Sequence, residues 1–116
     1  MPSSADSRRP DVPRNLKPYF LCLLRRGEHW NLTEGHEDLM PRYLAWLRSE
    51  MEARRIVFAG PVTGDGDLIA VAVFGVGTAE EAKALADENP GIKSGHFVAE
   101  LHPCYLPGLD EVRVEY

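Results

Sequence analysis

The chain has 116 residues, with 13 Lys plus Arg against 18 Asp plus Glu and a formal charge of −5. Its 44% hydrophobic and 27% charged residues are the composition of an ordinary soluble domain with one modest core. The acidity argues against a nucleic-acid binder, which needs surplus Lys and Arg for phosphate contacts, and no stretch approaches the roughly 20 apolar residues of a membrane span. The N-terminal residues also lack the apolar centre of a signal peptide, so the expected location is cytoplasmic.

Residues 1–15 hold Pro2, Pro10 and Pro13 among polar residues, with no apolar periodicity, and are expected to form a disordered or loosely attached arm. Residues 16–116 then read as a single domain whose C-terminal tail is irregular. Tyr19 to Leu24 is a short continuous apolar run and reads as a buried strand. The loop GEHWNLTEG at 27–35 carries Trp30 as its one aromatic residue. From His36 to about Ala53 the pattern is helical, with Met40, Leu44, Leu47 and Met51 expected on the packing face. Ile56 to Ala59 is a short strand closed by Gly60-Pro61.

The turn Asp65-Gly66-Asp67 leads into Leu68–Phe74, with Leu68, Ala70, Ala72 and Phe74 on one side and Ile69, Val71 and Val73 on the other. Thr78 and Glu81 match a capping box opening a helix that packs through Ala79, Ala82, Leu85 and Ala86, and Asn89-Pro90-Gly91 stops it. His96 to His102 alternates as a last strand, with His96, Val98, Glu100 and His102 on one face.

The order β, α, β, β, α, β is that of an α+β, ferredoxin-like fold: an antiparallel sheet with two helices on one face. Two helices cover one face only, yet the strands at 19–24 and 68–74 are apolar on both. A second copy against the open face, a homodimer, is the economical cover. The expected cavity then lies between sheet and partner, with the polar face of the last strand looking into it.

Cys22 and Cys104 belong to no CxxC or Cys/His pattern, so neither a disulfide nor a zinc site is expected. The segment GVGTAEE lacks the Lys of a phosphate-binding loop, so no nucleotide is implied.

Four segments in this order resemble the YCII-related domain family of the dimeric α+β barrel group: KPYFLCLLRRG, MPRYLAWLRSEMEARRIVFAGPV, DGDLIAVAVF and TAEEAKALADENPGIKSGHFVAELHPCYLP. The resemblance implies a His in the first helix and an Asp before the proline after the second, facing one another as an acid/base pair. Counted back from Gly60-Pro61, the His position is Tyr43, and the Asp position is Asn89. Tyr titrates near pH 10 and Asn not at all, so the pair has changed character.

The candidate catalytic residues are therefore Tyr43, Asn89, His36 and His102. Tyr43 and Asn89 can each donate and accept a hydrogen bond to a substrate oxygen. His36 lies seven residues before Tyr43, about two helical turns, on a stripe that includes Leu39, Trp46 and Glu50. A solvated first-turn residue is the rival reading and the one a helix-start His more often has. Trp30, Trp46, Glu100 and His96 are candidate substrate contacts; for the tryptophans core packing is the rival, and for Glu100 an ion pair between subunits.

The expected activity is cofactor-independent proton transfer, as isomerisation, elimination or cyclisation, on a small cyclic or aromatic compound. The alternative is a small-ligand-binding or accessory homodimer that has lost the family pair. No metal, nucleic acid or membrane partner is expected.

Overall fold

The computed structural model describes residues 15–31 and 36–109; of His36 it describes the backbone alone. The expected arm and the last residues of the tail lie outside this range, apart from Asn15. Seven elements follow in order: β1 Leu16–Arg26, α1 His36–Glu52, β2 Ile56–Pro61, β3 Leu68–Phe74, α2 Ala79–Asp87, α3 Pro90–Lys93 and β4 Phe97–Pro107. The four strands form one antiparallel sheet in the order β2-β3-β1-β4. This is the ferredoxin-like arrangement expected from the element order.

β1 and β4 run longer than the apolar run and alternation suggest, pairing from Leu16↔Pro107 to Arg26↔Phe97. Proline is tolerated in these strands because of where it falls. Pro61, Pro103 and Pro107 lie on the edge strands, and Pro18 of β1 lies beyond Phe20↔Phe74, the last pair with β3.

The register sorts the side chains. Cys22 faces Ala72 on one neighbour and Leu101 on the other, while Leu24 faces Ala70 and Ala99. Cys22, Leu24, Ala72, Phe74 and Phe97 pack with Leu39 and Leu47 of α1 and Leu85 of α2 in one buried core. The alternate residues Leu21, Leu23, Val71, Val73, Glu100 and His102 therefore occupy the opposite face.

Two residues, Leu68 and Ile69, depart from their expected faces. The β1/β3 register skips from Leu24↔Ala70 to Arg25↔Leu68, a bulge that leaves Ile69 unpaired. Ile69, expected beside Val71 and Val73, packs against the helix-side core instead.

The packing face of α1 also differs from expectation. Leu39 and Leu47 are each 2% exposed, whereas Met40 is 52% exposed. The helix is rotated so that Leu39, Tyr43, Trp46, Leu47 and Glu50 face inward. Buried Glu50 is satisfied at 2.6 Å by Arg55, which also reaches Glu88 at 3.1 Å. A salt bridge therefore allows a carboxylate to end an apolar stripe.

Thr78 caps α2 as expected: its Oγ1 accepts from the Glu81 N–H at 3.1 Å, and the Glu81 carboxylate turns back to accept from that hydroxyl at 3.1 Å. Asn89-Pro90-Gly91 ends α2 and at once begins α3, with Asn89 as N-cap and Pro90 in the first turn. Gly91 is required there, because a Cβ would overlap the Phe97 ring.

Candidate functional site

A cavity of about 410 Å³ opens between α1 and the helix-side face of the sheet. Leu39, Met40, Tyr43, Leu44 and Leu47 form its helical wall. Leu24, Ile69, Ala70 and Phe97 form its floor, and Gly60, Pro61 and Trp30 its margin. Its position follows from residue size: Ala70 and Gly60 leave room where larger side chains would fill the space between the layers.

Tyr43 stands at the back of this space. Its ring meets Phe97 edge-on at 5.6 Å between centroids and lies tilted against Trp46 at 6.3 Å. Among the described lining residues Tyr43 has the one hydroxyl, and there is no charged side chain.

Trp30 is held as a side wall by contacts on two sides. Arg26 places its guanidinium carbon 5.2 Å from the indole centroid, and Phe97 lies 6.1 Å away. The backbone beneath is fastened by Gly27 N–H to the His96 carbonyl at 2.8 Å and His29 N–H to the Gly95 carbonyl at 2.9 Å. That approach needs glycine, since a Cβ on Gly27 would meet the Gly95 carbonyl oxygen.

Behind Tyr43 lies a much smaller chamber, of about 10 Å³, whose lining includes Trp46 and Asn89. The structure thus brings Tyr43 and Asn89 to one space, together with Trp46. Asn89 is 2% exposed and its Oδ1 accepts from the Gly91 N–H at 2.8 Å.

The other candidates are elsewhere. His96 lies just before β4 rather than on its polar face; it is 4% exposed, with Nδ1 2.6 Å from Ser94 Oγ. Glu100 and His102 do share a face, but it is the one turned away from the helices and the cavity. There Glu100 accepts from Arg25 Nε at 2.8 Å and its other oxygen lies 3.2 Å from His102 Nε2, while Arg25 also reaches Asp67 at 3.0 Å. Arg25 first and His102 second hold the Glu100 carboxyl below its ordinary range. His36 opens α1, and its side chain lies outside the described residues. Among the described residues no three His, Cys, Asp or Glu side chains gather as a metal site requires.

Sequence reasoning singled out Tyr43, Trp30, Trp46 and Asn89 but missed the cavity floor. Ile69, Ala70 and Gly60 carry no chemical signature, and Ile69 reaches the cavity through a bulge that alternation does not reveal.

No family model matches the chain, and no curated protein matches it. Among solved structures it is similar to 5-chloro-2-hydroxyhydroquinone dehydrochlorinase (TftG) from Burkholderia phenoliruptrix AC1100, solved in complex with 2,5-dihydroxybenzoquinone. The TM-score is 0.55 at 21% identity, over 72% of this chain and 90% of that one. The likeness is one of fold, an antiparallel sheet with helices packed on one face. No helix among the described residues is long and apolar enough to cross a membrane.

Proposed function

We propose that the protein is a YCII-like small-molecule enzyme that takes a small cyclic or aromatic compound into the cavity between α1 and the sheet. On that compound it carries out cofactor-independent proton transfer: isomerisation, elimination or cyclisation. The observation that carries this reading is the cavity, about 410 Å³ of apolar space with Tyr43 among its wall residues. Apolar walls favour the faces of a ring by roughly 25 cal/mol per Å² removed from water, and a lone hydroxyl fixes the orientation of a ring oxygen. Tyr43 would donate to that oxygen as negative charge gathers on it. His36, two turns earlier along α1, is the candidate base, and Asn89 orients. The name of TftG, an elimination enzyme for a chlorinated hydroquinone, supports the choice of substrate class.

In this reading a second copy covers the open sheet face, where Leu21, Leu23 and Val71 lie half-buried and Val98 is 48% exposed. The setting is cytoplasmic. Glu100 and His102 then belong to the subunit contact.

The second reading, a binder without turnover, is favoured by the missing charge: among the described lining residues there is no carboxylate or imidazole. Hydroquinones, catechols and cyclic ketones are titrated while thermal shift reports binding and ultraviolet absorbance reports turnover. The enzyme reading expects turnover that falls at least about tenfold in both Tyr43→Phe and His36→Ala, the lower end of a general acid or base contribution. Binding without turnover favours the second reading, and binding of no ring compound overturns both.

A further inference from the structure

The small chamber behind Tyr43 has a distinct chemistry. Leu24, Tyr43 and Leu47 line both it and the main cavity, so these three side chains are the partition between them. On the far side of the partition are Trp46 and Asn89. The indole N–H of Trp46 is fully buried and has no hydrogen-bond partner among the described residues. Leaving such a donor unsatisfied costs more than a typical hydrogen bond returns, which makes it conspicuous in an otherwise well-packed core. Asn89 spends its carboxamide oxygen on Gly91, which leaves its NH₂ group as the half available to the chamber.

Trp46 and Asn89 therefore bring two donor groups to the lining of a space that also has Tyr43 and Cys22, and neither a carboxylate nor an imidazole, among its described residues. Its volume of about 10 Å³ suits a single water-sized atom. A buried donor without a partner recognises an acceptor, and a carbonyl or phenolate oxygen has that size.

We infer that the chamber is an acceptor-oxygen subsite: a ring in the main cavity passes one carbonyl or phenolate oxygen between Leu24, Tyr43 and Leu47 to the Trp46 indole N–H and the Asn89 amide. The inference rests on the proposed ring-compound reading and narrows it. The substrate carries an oxygen that accepts, as a cyclic ketone, quinone or phenolate does, and Trp46 becomes a specificity-determining residue. Negative charge arriving on that oxygen during proton transfer would meet preplaced donors.

The test compares two ligands of one shape, acetophenone and α-methylstyrene, which differ by C=O against C=CH₂. In full-length protein labelled with ¹⁵N, the Trp46 indole resonance, assigned with Trp46→Phe, is expected to move downfield with acetophenone and to stay in place with α-methylstyrene. In Trp46→Phe, acetophenone is expected to bind about tenfold more weakly, the worth of one buried hydrogen bond, while α-methylstyrene changes less than about twofold. Equal responses to the two ligands overturn the subsite and leave the ring-binding cavity standing, with the indole then serving packing or a resident water. Failure of both ligands to bind overturns the cavity reading as well. If Trp46→Phe does not fold, the wild-type spectra, assigned by elimination with Trp30→Phe, decide alone.

Discussion

The two faces of one sheet have been put to different uses. Toward the helices, Cys22, Leu24, Ala72, Phe74 and Phe97 build the core, and where Ala70 and Gly60 replace larger residues the same face opens into the cavity. Away from the helices, Leu21, Leu23, Val71 and Val73 form an apolar field beside the charged cluster of Arg25, Glu100 and His102. Stability and the candidate site thus share one face. The charged residues that look most like chemistry are on the other, where Arg25 already engages Glu100.

The largest difference between the faces should appear in stability. Phe74 is 2% exposed at the centre of the helix-side core, and Phe74→Ala is expected to cost about 3–5 kcal/mol in chemical denaturation. Val71→Ala, on the half-buried open face, should cost about 1 kcal/mol or less at protein concentrations that keep the chain monomeric. Equal losses would show that the open face is as much a core as the other, and would end the comparison.

The second test concerns what covers the open face. Val71→Glu places a carboxylate where the proposed second copy packs, and burying it unpaired should weaken self-association at least about a hundredfold. Light scattering is expected to fall from twice 13.0 kDa to 13.0 kDa, with the monomer's circular dichroism unchanged. A wild-type chain that is already monomeric at high concentration removes the dimer from the proposed function.

These contrasts also explain how far the sequence could be read. Element order, the Thr78 cap and the two-sided apolarity of β1 and β3 were legible because each is a local pattern of residue type. The choice of face was not, since alternation groups Glu100 with His102 without stating which layer they meet. The rotation of α1 was hidden because Glu50, paired with Arg55, occupies an inward position that polarity assigns to solvent. The site was legible where it is aromatic or amide, at Tyr43, Trp30, Trp46 and Asn89, and illegible where it is made of absent side-chain volume.

The thiols give a smaller effect with the same logic. Cys22 faces the core and burial pushes its pKa up to about 12, whereas Cys104, opposite Tyr19 on the other face, is raised by burial but remains partly accessible. At pH 8 only about one Cys22 in ten thousand is ionised. A thiol reagent is expected to label Cys104 slowly in the native protein and Cys22 only on unfolding. Native labelling of both at one rate would mean that the helix-side core opens far more readily than its packing implies.

The smallest effect belongs to the charged cluster. Glu100 is held below its ordinary range by Arg25 first and by His102 second, so its ionised form is bound better in the folded chain than in the unfolded one. The sign follows: this contribution is complete above the ordinary carboxylate range, near pH 4.3, and is lost as pH falls through the lower folded value. Glu100→Gln should therefore be slightly less stable than wild type at pH 7, with the gap closing on acidification as the wild type itself is protonated. In the monomeric chain, where Arg25 and Glu100 are 36% and 44% exposed, the neutral-pH gap should also shrink in 1 M salt. A gap that survives both acid and salt would show that Glu100 is buried against something more than Arg25. The open face would then be closed by a partner even under conditions where the exposed ion pair should contribute nothing.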